Sequence, residues 1–140
     1  TPPLPCPAPT SHAPSPADVE AHRRRPLQDI AAGMVALRRR GIEVVVVTLG
    51  AEGSLLADGQ GVCHASVPRV DAVNPTGSGD LLLAGLVVGL EEGRSLRDAL
   101  ALGAACGTAG ATHLLPELPP GFDASEWLPR IRLQELESAA

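Results

Sequence analysis

A run of β-branched residues constrains the fold of this chain more than any other stretch. The segment EVVVVTLG, residues 43–50, places four valines in succession and ends in a glycine. A strand with apolar side chains on both faces is typical of a sheet that is covered on both sides, as parallel sheets are. Helical patterns precede and follow this strand along the chain, so the sequence predicts an α/β fold.

Short local signals predict the elements around that strand. A helix precedes it and stops at Gly41, with Arg residues in the last turn, where the helix dipole favours cations. The expected apolar face of this helix comprises Ile30, Met34, Val35 and Leu37. Two short strands, 53–57 and 61–67, follow the buried strand, and a turn at Asp58–Gly59 joins them.

Two further helices are predicted in the second half of the chain. The first covers about 79–92, and the second covers 95–112, with Ser95 as N-cap and a face of small residues for close packing. A loop follows, and then a short helix that begins near Asp123. We expect Trp127 to pack this last segment against the domain.

Composition and charge exclude several classes of function. The net charge of −5 argues against nucleic acid as a partner, because phosphate-backbone binding needs clustered positive charge. All eleven basic residues are Arg, so the Lys of a P-loop is missing. The uncharged stretch 81–90 is far shorter than the roughly 20 residues of a membrane span. Three cysteines without metal-ligand spacing favour a reducing compartment, and we expect a cytoplasmic protein.

The proline distribution divides the chain into two parts. Residues 1–16 are proline-rich and are expected to be a disordered head, because proline supports neither helix nor sheet ladder. Residues 17–140 are expected to form one partial domain. The four histidines show no ligand spacing, and the sequence assigns them no role.

The segment NPTGSGD, residues 74–80, has the features of an anion-binding helix N-terminus. Gly77 and Gly79 let the backbone turn so that successive N–H groups converge, and the helix that starts here adds its positive end. Asp80 lies in the first turn, where a carboxylate acts either as a general base or as a cap that suits the helix dipole. The stretch alone leaves both roles open. It matches neither G-x-G-x-x-G nor G-x-S-x-G, since Leu82 and Thr76 occupy positions that require glycine.

A second glycine-containing stretch, TLGAEG, ends the buried strand. Ligands of open α/β sheets bind beyond the carboxyl ends of the strands. Gly50 and Gly53 would permit close approach of a nucleotide, with the Thr48 hydroxyl or Glu52 as polar contacts. Taken alone, the two glycines are equally compatible with a simple turn.

The combination of these segments resembles the C-terminal half of the PfkB carbohydrate kinase family, which has the ribokinase-like fold. The segments are VVVVTLGAEGSLL, a hairpin, VDAVNPTGSGDLLLAGLVVGL and ALGAACGTAGAT, in that order. The NPTGSGD variant is most similar to the 1-phosphofructokinase and tagatose-6-phosphate kinase branch. The resemblance implies the C-terminal part of a Rossmann-type three-layer sandwich, with the N-terminal half and the lid missing.

The resemblance also implies a function and a set of site residues. Asp80 would be the base that takes a proton from a hydroxyl of a sugar or sugar phosphate, and backbone N–H groups of Gly77, Ser78 and Gly79 would form the anion hole for the γ-phosphate of ATP. The nucleotide would be lined by Thr48, Gly50, Glu52 and Gly53, and the small helix face at Ala104, Ala105 and Thr108 would lie near adenine. Mg²⁺ would accompany ATP, although no metal ligand is identified.

The chain departs from the family pattern upstream. The family carries a Pro-Asn-x-x-Glu element linked to magnesium and phosphate, and here Pro16 and Glu20 are in register while Ala17 stands where Asn belongs. Two alternatives to a working kinase therefore stay open. One is a non-catalytic nucleotide-binding module, and the other is a vestigial product without a stable fold.

Overall fold

The computed structural model describes residues 16–137, with side chains described from residue 26 onwards. The elements in chain order are α1 (Pro16–Arg39), β1 (Val45–Thr48), a 3₁₀ turn (Gly50–Glu52), β2 (Ser54–Asp58), β3 (Gly61–Ser66), α2 (Ser78–Glu91), α3 (Leu96–Ala111), α4 (Ala124–Trp127), a second 3₁₀ turn (Leu128–Arg130) and β4 (Arg132–Leu136). The predicted α/β fold is confirmed, and the predicted helices and hairpin strands match to within one or two residues.

The four described strands form one antiparallel sheet in the order β1-β2-β3-β4. Val46 faces Leu56 across β1 and β2, and Leu56 in turn faces Cys63 on β3. The predicted turn at Asp58–Gly59 is present. The Gln60 N–H donates to Asp58 Oδ1 at 2.9 Å, so the Asp side chain closes the turn that reverses the chain.

Helices cover both faces of this sheet, which gives three layers. On one face α1 packs Met34 against Leu55 and Val62. On the other face α3 packs against Leu56 and Ala65, and Trp127 contacts the same cluster. The helices explain why both faces of the strands are apolar, and the contacts of Trp127 confirm that it packs the C-terminal segment against the domain.

The position of β1 differs from the prediction. Its valines are half-buried rather than buried, and it pairs with β2 in the antiparallel direction. Within the described residues its other edge has no strand beside it. The valine run correctly indicates cover on both faces, but it carries no information about the direction of the neighbouring strand. Leu37, expected on the apolar face of α1, is instead 41% exposed.

Small residues bring α2 and α3 into close contact, as the sequence predicts. A Cβ added at Gly103 would lie 2.5 Å from Leu82 O, and one added at Gly107 would lie 2.9 Å from Ser78 O. Both distances are far below van der Waals contact, so any larger residue would force the helices apart. The glycines of α3 therefore hold the first turn of α2 against the domain.

The strand β4 was not predicted, and an ion-pair cluster attaches it to the rest of the domain. Arg97 of α3 donates through Nη1 to Asp58 Oδ2 at 2.8 Å and through Nη2 to Glu135 Oε2 at 3.1 Å. Burial raises the pKa of Asp58, but the hydrogen bonds from Arg97 and the Gln60 N–H outweigh it, so the pKa is lowered overall. Hydrogen bonding to Glu135 and Asp58 raises the pKa of Arg97. The cluster joins α3, the β2–β3 turn and β4.

Some predictions concern parts that lie outside the described residues. The disordered head predicted over residues 1–16 lies outside the described residues, except for Pro16, which begins α1. The prediction about Ala17 and Glu20 concerns side chains that are not described. Within the described part of the chain, none of the helices combines the length and apolarity that a membrane crossing needs.

Candidate active site

The segment that follows β1 folds into a tight loop held by its own backbone. The Leu49 N–H donates to Gly53 O at 2.8 Å, and the Gly53 N–H donates to Gly50 O at 3.1 Å. The N–H groups of Gly50 and Ala51 make no hydrogen bond within the described residues. Two adjacent free N–H groups in a glycine turn are suited to a ligand oxygen or an anion.

Gly53 fixes this loop on the surface of β3. Its φ is +89°, and a Cβ at this position would lie 1.9 Å from Ala65 O, closer than any real contact. Only glycine therefore allows the loop to lie on the strand at this distance and in this conformation.

A second glycine shapes the start of α2. Gly77 caps the helix in the left-handed conformation, with φ of +84°. A Cβ there would lie 2.7 Å from the Cβ of Pro116, so glycine is required by space as well as by conformation. Asn74 supports the same turn, because its Nδ2 donates to Leu114 O at 2.9 Å and its Oδ1 accepts from the Thr76 N–H at 3.1 Å.

Free backbone donors gather at the same helix end. The N–H groups of Gly77, Gly79 and Asp80 make no hydrogen bond within residues 16–137, as is usual for the first turn of a helix. The Ser78 N–H, in contrast, donates to Pro75 O at 3.1 Å, and the Ser78 hydroxyl donates to the same oxygen at 2.7 Å. Of the three N–H groups in the predicted anion hole, those of Gly77 and Gly79 are thus free, while that of Ser78 is engaged in the loop.

The glycine loop and the helix end open onto one cleft of about 930 Å³. Eight of the eleven predicted site residues line it, and these are Thr48, Gly50, Glu52, Gly53, Ser78, Gly79, Ala104 and Thr108. Gly77 and Asp80 flank the lining residues Ser78 and Gly79 in the sequence, but they do not line the cleft themselves. Ala105, expected near adenine, is fully buried in the core cluster between α3 and the sheet and does not line the cleft.

The carboxylate of Asp80 is exposed in the first turn of α2. It makes no hydrogen bond or ion pair with any described residue. A general base must reach a proton on a molecule that arrives from outside, so exposure next to the free N–H groups meets the geometric requirement. The position also suits the helix dipole, and both roles remain compatible with one side chain.

Several polar residues of the cleft were missed by the sequence reasoning. They are Ser54, His64, Ser66, Arg69 and Asp71. Arg69 and Asp71 lie three to five residues before the NPTGSGD segment, and Ser54 directly follows Gly53, so proximity to the motifs was a usable signal for these three. Within the described residues, Ser54 Oγ is buried without a hydrogen-bond partner. His64 carried no local signal, since its role depends on strand pairing.

The residues present fit a nucleotide with its metal. The cleft has the volume of a small-molecule site, which is about 300–1,000 Å³. Free N–H groups on two sides suit phosphate and ribose oxygens. No three His, Cys, Asp or Glu side chains among the described residues cluster as a metal cage. Mg²⁺ in phosphate sites usually takes only one or two carboxylates beside the phosphates, and Glu52 and Asp71 line the cleft.

The relatives of this chain among known proteins include several 1-phosphofructokinases. The 1-phosphofructokinase of Borreliella burgdorferi is 31% identical over 97 residues, which are 69% of this chain and 31% of that protein. The 1-phosphofructokinase of Escherichia coli K12 is 40% identical over 74 residues, or 52% of this chain and 24% of that protein. The chain therefore spans about a third or less of the length of these relatives.

Solved structures agree with the sequence relatives. Fructokinase from Vibrio cholerae O395, in a form that holds fructose, ADP and a calcium ion, matches with a TM-score of 0.60 and 28% identity over 69% of this chain and 34% of that one. The ribokinase-like fold is thereby confirmed. A model of the pfkB family of carbohydrate kinases matches residues 6–117. With that match over most of its length, the chain belongs to the pfkB carbohydrate kinase family.

Proposed function

We propose that this chain carries the nucleotide-binding and catalytic-base part of an enzyme that transfers a phosphoryl group from ATP to a hydroxyl of a sugar or sugar phosphate. The observation that carries the proposal is the shared cleft, onto which the glycine loop after β1 and the N-terminus of α2 both open. A cleft with free N–H groups on two sides and a carboxylate next to one of them suits phosphoryl transfer, which depends on positioning and on charge stabilisation.

The helix end is the site for the transferred phosphate. The free N–H groups of Gly77 and Gly79 are available as donors, and the positive end of α2 adds to their field. The Ser78 N–H would contribute by sharing or exchanging its hydrogen bond to Pro75 O. These donors act on the negative charge of the oxygens that surround the migrating group.

Asp80 is the general base in this proposal. Its carboxylate takes the proton of the attacking sugar hydroxyl, so that the oxygen becomes nucleophilic as it approaches phosphorus. The carboxylate has no competing partner among the described residues, and it lies in the same turn as the phosphate donors. One short segment thus contains both the proposed general base and the proposed donors to the phosphate.

The other side of the cleft binds the nucleotide. Thr48, Gly50, Glu52 and Gly53 contact its ribose and phosphates, while Ala104 and Thr108 lie along the base. Mg²⁺, when bound with ATP, neutralises phosphate charge. The names of the relatives favour fructose 1-phosphate or a similar sugar as acceptor. A net charge of −5 disfavours nucleic acid, and small polar substrates of this kind suit a cytoplasmic enzyme.

Thermal unfolding of the 140-residue chain with and without MgATP tests the proposal. Ligand at about 100 times its Kd stabilises the folded state by about 2.7 kcal/mol, a rise in Tm of several degrees for a domain of this size. The variant Gly79→Asp places a negative charge among the phosphate donors and should abolish this rise. Gly79→Asn is the matched neutral control, and a Cβ at position 79 meets nothing within 4 Å, so both variants should fold. An equal rise in the Asp variant would contradict the assignment of the helix end to phosphate.

The second candidate is a nucleotide-binding module without catalysis. It is favoured by Ala17, which stands where the magnesium- and phosphate-linked element of the family carries Asn. Transfer of phosphate from ATP to fructose 1-phosphate distinguishes the two. Turnover that Asp80→Asn lowers by a factor of a hundred or more supports the kinase, whereas ATP binding without turnover supports the module.

A further inference from the structure

A histidine side chain connects the nucleotide loop to the sheet. His64 Nε2 lies 2.7 Å from Glu52 O, across twelve positions of sequence. His64 belongs to β3, opposite Leu55, and Glu52 belongs to the 3₁₀ turn that precedes β2. Both residues line the cleft. Because a carbonyl oxygen only accepts hydrogen bonds, Nε2 must carry a hydrogen and act as the donor.

The loop has few other attachments to the sheet. Its backbone hydrogen bonds, from Leu49, Glu52 and Gly53, are internal to the segment 49–53 and would move with it. The contact of Gly53 with Ala65 O limits approach to β3 but adds no hydrogen bond. The His64 side chain is thus the one donor from outside the loop that bonds to residues 50–53 within the described part of the chain.

We propose that His64 is a positioning residue that holds the Gly50–Gly53 loop in the geometry that receives a nucleoside triphosphate. The link to nucleotide binding rests on the proposed function, whereas the link to loop order does not. If the loop is already ordered, binding does not have to remove its conformational entropy. The hydrogen bond therefore increases affinity without contacting the ligand. Glu52 is an exposed residue and its hydrogen bond to His64 is exposed as well, so we expect the fold to survive the loss of this bond.

Two near-isosteric variants of the 140-residue chain test this inference. His64→Gln keeps an N–H donor at similar reach, and His64→Met fills similar volume without one. His113→Met is the control, because His113 does not line the cleft. Hydrogen exchange of the three hydrogen-bonded amides of the loop, those of Leu49, Glu52 and Gly53, is measured without nucleotide. It should accelerate about tenfold in His64→Met and stay near the wild-type rate in His64→Gln. The amides of the β2–β3 ladder should be unchanged in both.

Affinity for MgATP, measured by calorimetry, supplies the second readout. We expect a five- to tenfold weaker Kd for His64→Met and near-wild-type values for His64→Gln and His113→Met. Unchanged exchange in His64→Met overturns the inference, as does unfolding of that variant while His64→Gln stays folded. Faster exchange with no loss of affinity overturns the link to nucleotide and leaves the kinase proposal standing. Faster exchange in His64→Met, together with no binding of MgATP by the wild-type chain, would instead contradict the kinase proposal and support the role in loop order.

Discussion

At the scale of single residues, the backbone conformation of Gly53 leads to a specific prediction about stability. Its φ of +89° and ψ of −134° are a combination that essentially only glycine adopts, and an added methyl group would meet the backbone of Ala65. We expect Gly53→Ala to destabilise the chain by about 2 kcal/mol or more, measured by urea unfolding. Gly33→Ala is the matched control.

A Cβ at Gly33 on α1 meets nothing within 4 Å, so its change to alanine should stabilise the helix by up to about 1 kcal/mol. Equal midpoints for Gly53→Ala and the wild type would mean that the loop does not rest on β3 as described.

The residues of the candidate site were largely predictable because they lie in two short segments. Gly77, Ser78, Gly79 and Asp80 are consecutive, so their convergence follows from local geometry alone. The bond of His64 to the nucleotide loop was not predictable. It depends on the register that pairs β2 with β3, and a histidine on an apolar strand gives no sign of its partner in the sequence.

At the scale of elements, the attachment of β4 predicts a stability that depends on pH. The Asp58 carboxylate is 8% exposed, and its pKa in the folded state is lowered relative to the unfolded value near 3.9. A depressed folded pKa contributes stability above the unfolded value, and this contribution is lost as the pH falls through the folded one. We therefore expect the free energy of unfolding to decline as the pH falls from about 5 through the lowered folded-state pKa of Asp58.

Asp58→Asn isolates this contribution. Asn keeps an Oδ1 acceptor for the Gln60 N–H but removes the charge that pairs with Arg97. It should lower stability at pH 7 by about 1–3 kcal/mol and flatten the acid-side slope. Glu135→Gln is the control, since its exposed carboxylate meets the same Arg97 and should matter less. An unchanged slope in Asp58→Asn would place the acid sensitivity elsewhere.

Elements that carry local sequence signals were predicted well, whereas β4 carries no such signal and was missed. Ser95 caps α3 by accepting a hydrogen bond from the Asp98 N–H at 3.1 Å, as the sequence indicated. The segment 132–136 contains no turn residue or strict alternation, and it becomes a strand because Ser66 and its neighbours on β3 offer a free edge. That edge lies 66 positions away in the sequence.

At the scale of the whole molecule, the valine run predicted cover on both faces of the sheet, but it did not predict the direction of the strands. Chemically similar valines suit either direction, so long as helices cover both faces. Apolar surface is exposed at the edge of the sheet, since Ile42 and Val44 are exposed just before β1, whose outer edge has no partner strand among residues 16–137. The outer face of α2 adds to it through Leu83, Val87, Val88 and Leu90.

This apolar surface predicts self-association. Contiguous exposed apolar faces and unpaired strand edges promote contacts between chains. Relatives roughly twice as long carry additional chain that this segment does not contain. We expect the mean mass in sedimentation experiments to rise with protein concentration. The double variant Leu83→Glu with Val87→Lys should suppress the rise, and its i,i+4 pair should preserve the helix. Leu37→Glu, the same kind of change on the arginine-rich end of α1, should leave the association unchanged. A wild-type chain of constant monomer mass at every concentration would show that the α2 face does not drive association, however apolar it is.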